Sequence, residues 1–416
     1  MLLTPSMTPE GGTIRVLYSF PHKLGGGRIC TTAWQQVNGL AAAGADVLVC
    51  PGSLAVPVSP AVRVWPTLAR GKLRIPYKLL GSMRAFALHD HIVSRRIKKL
   101  VGQIDIIHAW PLGSLRTLKV AARLGIPTVL ERPNAHTRYF YEVAQKECER
   151  LGIELPPCHE HAYNPEVLKI EEQEYALASR LLCPSNFVAR TFLENGFAQD
   201  KLARHRYGFN EKVFFANREL PQRGGPGLAV LFVGGAVPIK GLHFALEAWL
   251  QSSACKNGQF RIAGQFVSAY AEFLSPLLSH PSIRVLGHRT DVPELMRKSD
   301  VLVLPSLEEG SALVTYEARG SGCVLLVSDA AGAVCRHMEN ALVHHAGDVE
   351  ALTHDFSVLN DDRALLERLR TASLSTLHEI TWTAAGERLL SVYRETIDAH
   401  SNRKLRQTRL GVQESV

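Results

Sequence analysis

The chain alternates short apolar runs with longer amphipathic stretches, the pattern of an open parallel sheet with helices on both faces. Residues 14–20 read as a first strand. The glycine-rich turn Gly25-Gly26-Gly27-Arg28 and a helix to about Ala43, closed by Gly44, follow it. Further strands are expected at 46–50, 105–109, 128–131 and 180–184, with helices at 115–124, 167–178 and 187–195. Residues 219–227, rich in Gly and Pro, have the composition of a linker, and after them the pattern restarts. Strands at 229–233, 259–263, 283–286, 301–305 and 324–327, with helices at 242–251 and 292–298, predict a second sheet of the same type.

The expected fold is therefore α/β, with two Rossmann-like doubly wound domains facing across a cleft. The boundaries read as 1–218 and 219–385. In the remaining segment, 386–416, a helix around 388–400 is expected to cross back onto the first domain, with a tail that frays from Leu405. A length of 416 residues agrees with two domains, and a ligand is expected at the carboxyl ends of the strands.

Composition narrows the class. With 46% hydrophobic and 21% charged residues the chain reads as a globular protein. It has no uninterrupted apolar run of roughly 18–20 residues and no basic-then-apolar leader, which points to the cytoplasm. Eight scattered cysteines, among them Cys50 and Cys183 inside apolar strands, read as free thiols in a reducing compartment. The net charge of +8 is uneven, because no acidic residue lies between Asp46 and Asp90. Arg63, Arg70, Lys72, Arg74, Lys78 and Arg84 fall there, followed by Arg95, Arg96, Lys98 and Lys99. With Ile75, Tyr77, Leu79, Leu80, Met83 and Phe86 interleaved, the 63–99 segment reads either as a surface for an anionic membrane or acceptor, or as a solvated helix face whose apolar side is in the core. The first alternative would put the protein at the inner face of a membrane. No nucleic-acid module accompanies the charge, so no nucleic-acid partner is expected.

The most informative stretch is 301–330. A strand ends in Pro305-Ser306, turns through Glu308-Glu309-Gly310 and enters a helix carrying Glu317, eight residues after Glu309. At about 1.5 Å rise per residue the two carboxylates lie roughly 10–12 Å apart, the reach from a sugar to a ribose across a diphosphate. The N–H groups of Ser311, Ala312 and Leu313 at the helix start suit a phosphate. Gly25, Gly26 and Gly27 let backbone approach an anion at another helix start, beside Arg28. The G-x-G-x-x-G spacing and acidic strand end of a dinucleotide site are missing, which excludes a dehydrogenase. Cys148, Cys158, His159 and His161 lack a zinc-ligand spacing, and no metal is expected.

This stretch resembles the E-x7-E signature of the retaining glycosyltransferases of family 4, also called group 1, which have the GT-B fold. The segment from Phe232 through Gly234 and Lys240 to Gly241 resembles the family's diphosphate loop, and residues 283–293 with Ser299-Asp300-Val301 resemble its base-pocket segment. Pro184-Ser185-Asn186-Phe187 and Tyr207-Gly208-Phe209-Asn210 resemble the end of its first domain. The resemblance implies a transferase that uses a nucleotide-diphosphate sugar as substrate, with no further cofactor and no metal. Glu317 is then expected to hold the ribose, Glu309 the sugar hydroxyls, and Lys240 the leaving diphosphate, where a fixed cation stabilises the transition state more than the ground state. His136, in Glu131-Arg132-Pro133-Asn134-Ala135-His136, corresponds to a histidine near the reacting carbon, and Arg132 and Asn134 are candidates for the acceptor or phosphate. Many members place an arginine one or two residues after Gly234; here Gly235 and Ala236 stand, so that either another group such as Arg28 or Arg289 replaces it or the diphosphate is held more weakly. A GT-B epimerase, a phosphorylase and a non-catalytic binding subunit are the rival readings.

Overall fold

The computed structural model describes residues 12–70, 73–74, 81–157, 159–216 and 227–413. Among the described residues nine strands precede the 219–227 segment: β1 (Arg15–Leu24), β2 (Asp46–Leu54), β3 (Arg63–Val64), β4 (Ala69–Arg70), β5 (Leu73–Arg74), β6 (Ile106–Ala109), β7 (Thr128–Glu131), β8 (Arg180–Cys183) and β9 (Leu202–Arg204). Six follow it: β10 (Ala229–Val233), β11 (Gln259–Ala263), β12 (Ile283–Gly287), β13 (Val301–Leu304), β14 (Val324–Ser328) and β15 (Ala341–His344). They make a seven-stranded sheet, β3-β2-β1-β6-β7-β8-β9, and a six-stranded sheet, β12-β11-β10-β13-β14-β15, beside the antiparallel pair β4-β5. In the six-stranded sheet every neighbouring pair is parallel. Helices cover both faces of such a sheet, so its central strands are apolar without alternation: Val-Leu-Val-Leu in β13 is buried throughout.

The chain divides into two compact units, one of Met1–Glu131, Lys169–Leu182 and Gly386–Val416, the other of Arg132–Leu168 and Cys183–Ala385. A buried polar network organises the first. Trp110 Nε1 donates to Tyr18 Oη at 2.7 Å, Gln36 Nε2 donates to Glu131 Oε2 at 2.9 Å, and His108 Nδ1 meets Tyr393 Oη at 2.6 Å. His108 also lies 3.5 Å from Glu131 and stacks on Tyr18, with ring centroids 4.2 Å apart. These groups bind the last helix, Trp382–Gln413, to the sheet, and Lys404 Nζ adds a donation to the Gly125 carbonyl at 2.7 Å. That helix continues past Leu405 to Gln413.

The strand expected at 14–20 runs on to Leu24, because β1 resumes pairing with β2 at Lys23 after a register shift that accommodates Pro21. The helix Ser82–Ile97 resolves half of the reading of the basic segment. Phe86, Val93 and Ile97 are buried, the latter two in a core with Leu17, Leu48 and Ile107, so its apolar side is taken up by the fold. Arg84, Arg95, Lys98 and Lys99 face solvent, and Arg96 lies over the Trp65 ring at 3.8 Å. Lys72, Ile75, Tyr77, Lys78, Leu79 and Leu80 fall outside the described residues, as does most of the 219–227 linker. Unannounced by the periodicity are the helices Thr137–Leu151, Ser268–Leu278, Val349–Asp361 and Arg363–Ser375 and the strands β9 and β15.

Replacing Tyr393 by Phe removes a fully buried 2.6 Å hydrogen bond at constant shape. The expected cost is about 1–2 kcal/mol, read as a lower urea midpoint; an unchanged midpoint would show that the hydroxyl does not secure the last helix.

Candidate functional site

The second unit builds its site where β10 and β13 end side by side. After β13 the chain passes Pro305-Ser306 and Leu307 to the paired glutamates, then Gly310 and the helix Leu313–Gly320. A Cβ at Gly310 would collide with the Pro133 carbonyl, so glycine lets this turn lie directly on the 132–137 loop. The two glutamates diverge. Glu308 turns inward, 2% exposed, and accepts the Ala135 N–H at 2.8 Å. Glu309 turns the other way, its Oε1 2.6 Å from Lys240 Nζ, with about a fifth of each side chain exposed (19% and 20%).

Lys240 closes the 3-10 turn Pro238–Lys240 that follows β10. Gly241 ends that turn with φ 67°, against the Pro305 carbonyl where no Cβ would fit. The Leu307 N–H donates to the Ile239 carbonyl at 2.8 Å, stitching the two strand-end loops together. Burial by itself would lower the ammonium pKa; the carboxylates of Glu309 and Glu308 outweigh it, and Lys240 is held above its ordinary value as a firm cation. Glu308 goes the opposite way. Its removal from water raises its pKa to about 7, against the lowering influence of Lys240, the Ala135 N–H and Arg132. Glu317 is also raised to about 7, by burial, and no hydrogen bond to its carboxyl group is found among the described residues.

At the helix start, Ala312 donates weakly to the Ala331 carbonyl at 3.4 Å, whereas the N–H groups of Ser311 and Leu313 have no acceptor among the described residues. The hydroxyl of Ser311 bonds to Gly332 O at 3.0 Å and meets Tyr316 Oη at 2.8 Å. Gly234, at the end of β10, donates to Ala263 O at 3.1 Å, and the space about Gly235 is open. Arg289 is occupied elsewhere, in a two-pronged pair with Asp291 at 2.8 and 2.6 Å.

His136 caps the helix Thr137–Leu151, its Nδ1 accepting the Arg138 N–H at 3.3 Å, so that a neutral ring carries its proton on Nε2. The ring is 3% exposed, between Phe192 and Phe197 at centroid distances of 5.0 and 5.8 Å. Arg132 is buried beside it, donating to Thr137 Oγ1 at 3.2 Å, and Asn134 is exposed. Gly25, Gly26, Gly27 and Arg28 belong to the first unit, before the helix Ile29–Ala42; Arg28 is exposed and holds a φ of 50°, a strained value for a side chain with a Cβ.

Two features escaped the sequence. Glu308 looks like a surface duplicate of Glu309, and only the divergence of neighbouring side chains could have suggested that one faces in. The cluster of Glu147, Arg150 and His243 was also unforeseen: Glu147 lies 2.7 Å from Arg150 and 2.8 Å from His243. It fastens the helix Thr137–Leu151 to the helix Leu242–Gln251 that Lys240 introduces, beside a patch of Phe140, Tyr141, Ala144, Val237 and Ile239. Among the described residues no three His, Cys, Asp or Glu side chains converge as metal ligands, and Cys158 lies outside them.

Known proteins share this organisation. A family model described as glycosyl transferases group 1 matches residues 227–362, and one described as Glycosyltransferase Family 4 matches residues 30–209. Over 83 residues, 20% of this chain and 21% of the relative, the chain is 32% identical to UDP-Gal:alpha-D-GlcNAc-diphosphoundecaprenol alpha-1,3-galactosyltransferase of Escherichia coli. Over 122 residues, 29% of this chain and 32% of the relative, it is 27% identical to N,N'-diacetylbacillosaminyl-diphospho-undecaprenol alpha-1,3-N-acetylgalactosaminyltransferase of Campylobacter jejuni. The matched stretches thus span a fifth to a third of those two relatives. In fold the chain is similar to HepE of Anabaena, solved with UDP (TM-score 0.62, 15% identity, covering 92% of this chain and 100% of that one). It is similar also to sucrose-phosphate synthase of Thermosynechococcus elongatus (TM-score 0.64, 18% identity, covering 93% and 100%).

The raised carboxyl of Glu308 has a thermodynamic sign. A group whose pKa moves from 4.5 to about 7 on folding keeps its proton in the folded chain after the unfolded chain has lost it, so stability falls as pH rises between those values and levels off above. Glu308→Gln keeps an oxygen for the Ala135 N–H and abolishes the titration. The loss of melting temperature between pH 5 and pH 8 should shrink by about 3 °C or more in the variant; an unaltered profile would mean that Glu308 is ionised throughout.

Proposed function

Because the chain belongs to the group 1, family 4 glycosyltransferases, we propose that it moves a sugar from a nucleotide-diphosphate sugar to an acceptor hydroxyl, with retention at the anomeric carbon and without a metal ion. The observation that carries this reading is the Lys240–Glu309 contact at the paired strand ends, with Glu317 in the short helix that follows. Breaking the bond between the anomeric carbon and the phosphate oxygen leaves negative charge on the diphosphate. An ammonium already fixed there, out of bulk water, stabilises that charge without reorganising. The helix-start N–H groups of Ser311 and Leu313 add donors of the same kind.

In this reading Glu309 exchanges part of its contact with Lys240 for hydroxyls of the donor sugar, and Glu317 accepts hydrogen bonds from the ribose. A half-buried carboxyl with no hydrogen-bond partner among the described residues suits that task, because two hydroxyl donors would favour its ionised form. The acceptor oxygen attacks from the face that the diphosphate leaves, the new carbon–oxygen bond forms as the old one breaks, and the acceptor's proton passes to a phosphate oxygen. His136 orients the sugar through the Nε2 proton that its capping bond imposes. The charge on the diphosphate is met by Lys240 and backbone N–H groups, which is why no metal is invoked. Residues 219–385 bind the donor and residues 1–218 the acceptor.

The names of the relatives support a UDP-sugar as donor and a diphosphate-linked lipid as acceptor. Arg84, Arg95, Lys98 and Lys99, exposed on one helix and its end, support a peripheral position on an anionic membrane in the cytoplasm.

A thermal-shift panel of nucleoside diphosphates and nucleotide sugars tests the core of the proposal. UDP or a UDP-sugar should raise the melting temperature of the native protein, and the rise should shrink in both Lys240→Ala and Glu317→Ala. Should no nucleotide shift the native protein, the transferase reading fails. With a donor in hand, Lys240→Ala is expected to lower kcat by about 10²–10³, and turnover should persist in EDTA. The anomeric coupling of the product, read by NMR, should match that of the donor. Flotation with vesicles containing anionic phospholipid should carry the protein, and equal flotation with neutral vesicles would remove the membrane component.

A further inference from the structure

The second unit has another cationic feature, which none of the roles above uses. A cavity of about 440 Å³ opens beside β14, and Arg204, Arg206, Arg319 and Arg336 line it against only two carboxylates, Asp329 and Glu379. Arg319 is the informative one. It is 3% exposed, yet every bond it makes is to a neutral oxygen: Val334 O at 2.6 Å, Thr376 Oγ1 at 2.6 Å, Ser373 Oγ at 2.9 Å and Ser373 O at 3.0 Å. The four donations use four of its five N–H groups and none goes to a carboxylate, and a guanidinium in that state favours an anion beside it.

The remaining groups agree. Arg204 donates to Asn186 Oδ1 at 3.1 Å and to Cys183 O at 2.5 Å and adds its guanidinium to the lining. Arg206 stands 3.6 Å from Glu379, each 45% exposed, a loose pair that costs little to open. Arg336 contacts Glu339 at 2.9 Å with 72% of its side chain in solvent, so its guanidinium can swing over the cavity mouth. Asp329, also in the lining, is engaged by the Ala346 N–H and by His345 Nδ1, each at 3.1 Å. Ser185 and Asn186 lie in the wall at the start of the helix Asn186–Glu194. The lining shares no residue with the Lys240, Glu309 and Glu317 cluster, but adjoins it at Gly332, where a Cβ would strike the Gly310 carbonyl, at Ser328, whose Oγ donates to Ser306 O at 2.5 Å, and at Arg319, two residues after Glu317 on the same helix.

We propose that this cavity is a second anion site, which takes a phosphate or diphosphate group separately from the diphosphate position at Lys240. Planar guanidinium forks match phosphate oxygens in pairs, and a cavity of this size holds a diphosphate together with a sugar attached to it. Two sources share that chemistry, a free anion and the diphosphate of a lipid-linked acceptor.

Titration calorimetry on the full chain separates the two sites. Inorganic pyrophosphate is titrated into Lys240→Ala, and into Lys240→Ala that also carries Arg206→Gln and Arg336→Gln. The first should bind, and the second should bind at least about tenfold more weakly. Both arginines are substantially exposed, so the variants should melt like the parent, and Arg336→Glu alone, a charge reversal, gives an independent weakening. Repeating the titration with farnesyl diphosphate assigns the source: tighter binding than pyrophosphate, lost in the same variants, marks a lipid-borne diphosphate, and equal binding marks a free anion. Pyrophosphate binding that vanishes with Lys240→Ala, or that ignores the arginine substitutions, overturns the proposal. UDP binding to the native chain, measured alongside, reports on the donor site, so failure of one assignment is not mistaken for failure of the other.

Discussion

One ammonium shared between two carboxylates governs the second unit. Lys240 meets Glu309 at 2.6 Å and feels the buried Glu308 as well, in surroundings that would otherwise strip both signs of charge. The cluster resolves this unequally: the lysine is kept charged, while Glu308 is pushed up to about 7. A site poised in this way can take up the charge of a diphosphate by shifting a proton and exchanging Glu309's contact. It needs no large rearrangement of buried ions, which would be far more costly.

Such a cluster needs its backbone supports to hold position, and the fold supplies them by stacking loops with no side chain between them. The Gly310 turn lies on the Pro133 carbonyl, and Gly241 on that of Pro305. At either position a methyl group would force the loops apart and pull Lys240 or Glu309 from its partner, so these glycines set the geometry without touching a ligand. The Glu147, Arg150 and His243 contacts and the patch around Ile239 then fix the helix carrying the 132–137 loop to the helix after Lys240. Chemistry at the strand ends therefore rests on ordinary packing one layer below.

Much of this was legible because parallel sheets write themselves plainly. The strand at Ala229–Val233, the helix at Leu242–Gln251 and the strand at Gln259–Ala263 begin and end where the apolar runs do. The Glu309 and Glu317 spacing was legible for the same reason, since the strand, turn and helix around it leave a short repertoire of positions. What stayed hidden depends on contacts distant in sequence. The helix Thr137–Leu151 buries Phe140, Tyr141 and Ala144 at helical spacing, but its many charged residues dilute the signal. Arg289 looked available as a cation until Asp291, two residues on, was seen to hold it. The inward turn of Glu308 has no local signature, because it is decided by the Ala135 N–H, 173 residues away in sequence.

The absence of an arginine after Gly234 then acquires a physical meaning. Ala236 is fully buried and its N–H is committed to Gln265 O at 2.8 Å, so that position has no room for a long cationic side chain. Gly235 has the room but lacks the side chain. In the proposed reading the positive charge that meets the diphosphate then comes from Lys240, itself paired with Glu309 at 2.6 Å, and from backbone N–H groups, which cannot rotate away. The carboxyl groups of Glu309 and Glu308 that flank Lys240 set how much of its charge a ligand meets. Glu308, protonating near neutrality, becomes the group through which pH adjusts that charge.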